Sequence, residues 1–138
     1  MLKHTKIPPV RSVLIYPRED GHARTTLLDA VEYLRGQGVT VAVPSEVDKV
    51  EGAAGVAAQA LRDVDLIVAL GGDGTLLRAS RWAATAGIPV LGINLGELGF
   101  LTAYNRDEAR VALEAAVRGE LTWEPRMRMR VEVRRAGA

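Results

Sequence analysis

Asp65-Leu66-Ile67-Val68-Ala69-Leu70-Gly71-Gly72-Asp73-Gly74-Thr75 is the stretch on which the fold turns. From Asp65 to Leu70 it is a near-continuous apolar run, the pattern of a strand covered on both faces in a parallel sheet; one face open to water would leave an alternation instead. The run passes into a glycine-rich turn, and Leu76 to Ala86 follows with Leu76, Leu77, Ser80, Ala83 and Ala84 on one helical face. Gly87 is placed to close that helix. Strand, glycine turn and helix in immediate succession form the first two parts of a βαβ unit, which the run Ile88 to Ile93 completes.

Working outward, Val10 to Tyr16 is a β-branched run stopped by Pro17 and reads as a first buried strand. Arg18-Glu19-Asp20-Gly21 makes a turn. Thr25 or Thr26 can cap a helix carrying Leu27, Leu28, Val31 and Leu34, with Gly36 or Gly38 to end it. Val39 to Val43 reads as a second strand, Ser45 to Gly55 as a loop, and Val56 to Arg62 as a short helix. Beyond the loop Asn94 to Leu101, the apolar residues Val111, Leu113, Ala115, Ala116 and Val117 predict a helix over Arg106 to Arg118. Strands alternating with helices at this spacing predict an α/β fold, a Rossmann-like doubly wound parallel sheet with right-handed crossovers.

The pattern changes at Arg126, where Met127, Met129, Val131 and Val133 alternate with charged residues up to Arg134. That period of two predicts an antiparallel-type strand with one apolar face. A lone strand of this kind is unstable in water, so its partners are expected beyond Ala138. The expected division is residues 1–120 as an α/β nucleotide-binding domain and residues 121–138 as the start of a β-rich second domain. A basic nucleic-acid-binding ribbon would also carry arginine at every second position, but so does any half-exposed strand of an arginine-rich chain. No nucleic-acid partner is expected.

Composition narrows the classes further. The chain has 138 residues, 48% hydrophobic and 25% charged, with a formal net charge of +1. Such a length suits one domain with a substantial core, and the balanced charge does not suggest a polyanion-binding protein. The absence of cysteine excludes disulfides, thiolate zinc sites and thiol catalysis, and is compatible with a reducing cytoplasm. Met1 to Lys6 leads into prolines, with no apolar run long enough for a secretory signal or membrane anchor. A cytoplasmic protein without membrane partners is expected.

Chemistry concentrates at Gly71-Gly72-Asp73-Gly74-Thr75. Glycines let the backbone approach an anion closely, and the helix that follows offers free N–H groups and the positive end of its dipole. Phosphate is the natural guest. The loop has no Gly-Lys-Ser/Thr, so it is not a P-loop, and Leu77 stands where a dinucleotide fingerprint needs its third glycine. A carboxylate in a phosphate cradle repels its guest unless it holds a cation or takes a proton from an attacking hydroxyl. Asp73 therefore points to phosphoryl transfer. The alternative is a tight turn in which Asp73 bonds only its own backbone.

Leu70-Gly71-Gly72-Asp73-Gly74-Thr75-Leu76-Leu77-Arg78 resembles the signature shared by NAD kinases, diacylglycerol and sphingosine kinases and, more distantly, phosphofructokinases. Pro89-Val90-Leu91-Gly92-Ile93-Asn94-Leu95-Gly96-Glu97-Leu98-Gly99-Phe100-Leu101-Thr102 resembles the NAD kinase family in particular. The resemblance implies transfer of a phosphoryl group from ATP or polyphosphate to the adenosine ribose 2′-hydroxyl of NAD, giving NADP, with a divalent cation such as Mg²⁺. It implies Asp73 as general base, Gly72 and Gly74 along the phosphate path, Thr75 among the nucleotide-binding residues, Arg78 helping to hold the dinucleotide, and Asn94 near its adenosine portion. Arg78 also reads as a solvated first-turn helix residue. Phe100 reads either as an adenine contact or as a core plug beneath the glycine loop. The family further implies a homodimer or homotetramer, and a second β-rich domain without which the chain is expected to be inactive. A lipid or sugar kinase of the same motif group, and a non-catalytic nucleotide-binding fragment, are the alternatives.

Overall fold

The computed structural model describes residues 5–96, 99–126 and 134. In chain order the elements are β1 (Thr5–Lys6), β2 (Ser12–Pro17), α1 (Arg24–Gly36), β3 (Thr40–Pro44), β4 (Ala53–Val56), a 3-10 turn (Ala58–Ala60), β5 (Leu66–Gly71), α2 (Asp73–Ala86), β6 (Val90–Asn94), β7 (Tyr104–Asn105), a 3-10 turn (Arg106–Glu108), α3 (Ala109–Arg118) and β8 (Thr122–Trp123). Six strands form one sheet in the order β4-β3-β2-β5-β6-β7. Every neighbouring pair in it is parallel. From β2 the chain winds outward through β3 and β4, then returns to lay β5 on the other side of β2 and winds the opposite way. The doubly wound arrangement expected from the alternation of elements is present.

The apolar runs fold as strands because both sheet faces are covered. Val13 and Ile15 of β2 and Leu66, Val68 and Leu70 of β5 face α1 and α3, where Leu27, Val31, Leu34, Ala112 and Leu113 meet them. The intervening Leu14, Ile67 and Ala69 face the opposite way, onto Ala79 and Ala83 of α2. Successive side chains of a strand point to opposite faces, so an uninterrupted apolar run is what a two-sided core requires. Alanines at the α2 contact let that helix lie close to the sheet. Asp65 stands just outside β5, where its Oδ2 accepts the N–H groups of Arg11 at 2.7 Å and Ser12 at 3.1 Å and so fixes the start of β2.

Several boundaries differ from those expected. Helix α1 starts at Arg24 with Ala23 as N-cap and no side-chain cap, so Thr25 and Thr26 lie inside its first turn. The loop expected over Ser45 to Gly55 contains the start of β4, and the helix expected from Val56 to Arg62 shrinks to a single 3-10 turn. Ala53-Ala54-Gly55-Val56 has little intrinsic strand preference, and its pairing with β3 makes it a strand. Helix α2 begins at Asp73, three residues before the first apolar position. The helix expected from Arg106 divides into a 3-10 turn and α3. A capping box precedes α3: Asn105 Oδ1 accepts the N–H of Glu108, and Glu108 Oε1 accepts that of Asn105. The alternating strand expected from Arg126 to Arg134 lies outside the described residues except at its two ends. Just before it, β8 pairs antiparallel with β1, and Ile7 N–H donates to the Leu121 carbonyl at 2.8 Å.

Two helix ends test this packing. Gly87 closes α2 at φ +68° with nothing near its Cβ position, whereas Gly119 closes α3 at φ +72° and a Cβ there would stand 2.7 Å from Pro9 Cδ. Gly87→Ala should lose about 1 kcal/mol, the strain of a left-handed residue. Gly119→Ala should lose more, because it adds a clash with Pro9. Urea denaturation of both variants checks the order, and a smaller loss at position 119 contradicts the packing described.

Candidate functional site

Strand β5 lies beside the reversal point of the sheet, and at its carboxyl end Gly71 hands the chain to α2. In open α/β sheets ligands bind in this crevice. A Cβ on Gly71 would collide with the side chain of buried Thr75, so glycine at 71 is required by the chain's own packing. Gly72 and Gly74 differ. Gly72 is the N-cap of α2 at φ −133°, open to any residue, and its Cβ position has nothing within 4 Å. At Gly74 the nearest atom is Arg78 Nη1 at 3.8 Å. The missing side chains at 72 and 74 leave open surface at the helix start, with no packing or φ constraint among the described residues to explain them.

The second motif closes against the first through Asp73. Gly71 and Asn94 are register partners on β5 and β6, and Leu95 N–H donates to the Gly71 carbonyl at 2.7 Å. The buried Asn94 turns the chain outward, its Oδ1 accepting Gly96 N–H at 2.9 Å. When the chain returns, Phe100 N–H donates to Asp73 Oδ2 at 2.9 Å and Leu101 N–H to Asp73 Oδ1 at 3.0 Å. Gly99 lies inside this junction. A Cβ on it would stand 2.7 Å from both Asp73 Oδ1 and Asn94 Nδ2, and 2.8 Å from Thr102 Oγ1. Asp73, Asn94 and Thr102 therefore converge around one glycine.

These contacts set the charge of Asp73. The N–H of Phe100, then that of Leu101, hold its carboxyl below the ordinary carboxylate range; they and a smaller contribution from Thr102 outweigh partial desolvation. Asp73 is ionised at neutral pH and bonded to a distant loop, so it is not confined to a local turn. A carboxylate has about four lone-pair positions, which leaves room for a further donor.

The remaining expected residues divide. Phe100 is 92% exposed, which excludes the core plug: its backbone is pinned while its ring stands in solvent. Thr75 sits beneath Gly71 instead of on the open surface. Arg78 is exposed on α2 beside Gly74. It also faces Tyr16, whose hydroxyl is pushed up by burial, an effect Arg78 opposes. Tyr16 packs edge-on against Trp82 at 5.6 Å between ring centres. Gly99, Thr102 and Arg18 carried no assigned role in the sequence reading. Arg18 directly follows β2, and its place beside the glycine loop emerges only once β2 and β5 are known to be neighbours. Among the described residues, no group of three or more His, Asp or Glu comes together to hold a metal ion, and no helix is long and apolar enough to cross a membrane.

The sequence model described as the ATP-NAD kinase N-terminal domain matches residues 22–121. An NAD kinase of Moorella thermoacetica is 42% identical over 119 residues, covering 85% of this chain and 38% of that protein. An NAD kinase of Syntrophobacter fumaroxidans is 38% identical over 127 residues, covering 88% and 44%. One of Heliobacterium modesticaldum is 51% identical over 77 residues, covering 56% and 27%. This chain thus spans less than half the length of the curated relatives it matches. The crystal structure of yeast NADH kinase complexed with NADH superposes with a TM-score of 0.70 at 23% identity, over 83% of this chain and 38% of that one, a likeness of fold.

The Asp73 contacts predict a pH-dependent stability. Because its folded-state pKa lies below the unfolded one, its contribution is present above the ordinary carboxylate range and is lost as pH falls through the depressed folded value. Asp73→Asn retains one acceptor oxygen for two N–H groups, so it should melt below the wild type at neutral pH. The gap should close in strong acid. A gap independent of pH means that the charge of Asp73 does not hold the loop.

Proposed function

The chain belongs to the ATP-NAD kinase N-terminal domain family, and from that premise we propose that it forms the dinucleotide-binding part of an NAD kinase, which transfers the terminal phosphoryl group of ATP or polyphosphate to the adenosine ribose 2′-hydroxyl of NAD. The observation that carries this reading is the junction at Asp73, where an ionised carboxylate at the open Gly72–Gly74 surface is bonded to the loop that displays Phe100. Phosphoryl transfer runs through a loose transition state, so catalysis is mainly positioning and electrostatic stabilisation. A carboxylate held rigidly and kept ionised suits that task. It orients the 2′-hydroxyl and accepts its proton as the bond to phosphorus forms. Gly72 and Gly74 give the phosphates their path, with Arg78 beside it, and the exposed Phe100 ring offers a face on which adenine stacks. Asn94 supports the loop from below.

A divalent cation such as Mg²⁺ fits the donor set only in part. Asp73 is the one carboxylate of the glycine loop, and Mg²⁺ is commonly held by one or two carboxylates together with substrate phosphates. The ion would reach this surface with the phosphates and neutralise their charge there. Residues 1–120 are proposed as the nucleotide-binding domain, with the β-rich domain of the complete enzyme after them.

Asp73→Asn in the complete enzyme should lower kcat by about 10²–10⁴-fold, the usual contribution of a positioned general base. If Asp73 served chiefly to hold Mg²⁺, raising the metal concentration would restore turnover by mass action. Near-native turnover removes Asp73 from the mechanism and the proposed reaction with it. Phe100→Ala should raise the KM for NAD more than it lowers kcat, as when a contact made equally in ground and transition states is lost. Its melting temperature should hardly move, because the ring is solvated. A change confined to kcat counts against the adenine contact.

A further inference from the structure

Arg18 occupies a position that the reading above leaves unused. Its N–H donates to the Leu70 carbonyl at 2.8 Å, tying the end of β2 to the end of β5. Its Nη1 lies 4.0 Å from the Cβ position of Gly96, just past the end of β6. Strands β2 and β6 flank β5, and neighbouring strands stand about 4.8 Å apart. A side chain rooted after β2 that arrives beside Gly96 therefore crosses over the carboxyl end of β5, where Gly71 and Gly72 lead into α2. The guanidinium is held there by Asp20, with Nη2 2.6 Å from Asp20 Oδ2. Asp20 is itself oriented by His22, whose N–H reaches Oδ1 at 3.2 Å and whose Nδ1 lies 3.3 Å from Oδ2.

We propose that Arg18 is a diphosphate-binding residue that spans the glycine loop and grips the phosphates passing along Gly72 and Gly74, opposite Arg78. This inference rests on the phosphoryl-transfer reading of the loop. The planar guanidinium fork matches two phosphate oxygens at once. Its pairing with Asp20 is at the surface, and such pairs are weak. A diphosphate carrying more charge can take the place of that single carboxylate without leaving a charge buried. Until then Asp20 keeps the arginine over the loop. The diphosphate is either the bridge of the dinucleotide or part of the donor's polyphosphate chain.

The probe is inorganic pyrophosphate, titrated calorimetrically into the 138-residue chain, with NAD and ATP titrated separately. The wild type should bind pyrophosphate, Arg18→Ala should weaken binding roughly tenfold, as for loss of a charge-assisted pair, and Arg18→Lys should recover only part of it because the fork is gone. Thermal melts should be unchanged, since the backbone bond to Leu70 does not involve the side chain. A selective loss for NAD assigns the dinucleotide bridge, and a selective loss for ATP assigns the donor. No binding of pyrophosphate by the wild type, or equal affinity in Arg18→Ala, overturns the proposal. Failure of the kinase reading would look different, with pyrophosphate bound through Arg18 while the complete enzyme forms no NADP.

Discussion

Strand β5 must be apolar on both faces, and the site follows from how that constraint ends. Leu66 through Leu70 are each no more than 1% exposed, because β2 and β6 bond its edges while α1, α3 and α2 cover its faces. A strand so enclosed cannot carry a functional side chain along its length. Function is displaced to the first residues beyond the core, where Gly71 must be small to admit Thr75 and the chain can turn into a helix. Chemistry gathers at the carboxyl end because the neighbouring parallel strands β2 and β6 deliver Arg18 and Asn94 to the same rim.

At that rim one carboxylate serves two demands. The N–H groups of Phe100 and Leu101 hold Asp73 below its ordinary range, which weakens it as a base while fixing its position. For a reaction governed by proton abstraction alone, this would be a poor compromise, since an effective base has a pKa near the working pH. For the phosphoryl transfer proposed above, which runs through a loose transition state, the compromise is favourable, because orientation and a steady negative charge matter more than basicity. The same bonds let Phe100 be solvated yet ordered in its backbone, which gives an aromatic surface without a core to support it.

Charge around the loop is distributed by distance. The negative Asp73 is balanced by N–H dipoles, and the positive side chains stand to either side, Arg78 on α2 and Arg18 on the turn after β2 paired with Asp20. Had a lysine or arginine paired directly with Asp73, the carboxylate would be neutralised and a cation withdrawn from the open surface of the loop. Dipoles from a neighbouring loop stabilise the charge and leave the cations at the surface.

The sequence by itself determined the fold class and pointed to the centre of the candidate site. Val10 to Tyr16, Val39 to Val43, Asp65 to Leu70 and Ile88 to Ile93 are legible because a two-sided core demands apolar runs, and the glycine loop is legible as a candidate site because it joins a buried strand directly to a helix N-terminus. Tertiary structure alone decided the rest. Ala53 to Val56 is a strand only because β3 offers an edge, and α2 starts at Asp73 because the turn at Gly72 comes before any apolar position. Phe100 stands in solvent while its N–H meets a carboxylate 27 residues away, and Arg18 comes beside the glycine loop because β2 lies next to β5. Periodicity records which face of an element is buried, but contacts between residues far apart in the chain leave no local pattern. Strand order, which fixes those contacts, exists only once the sheet has formed.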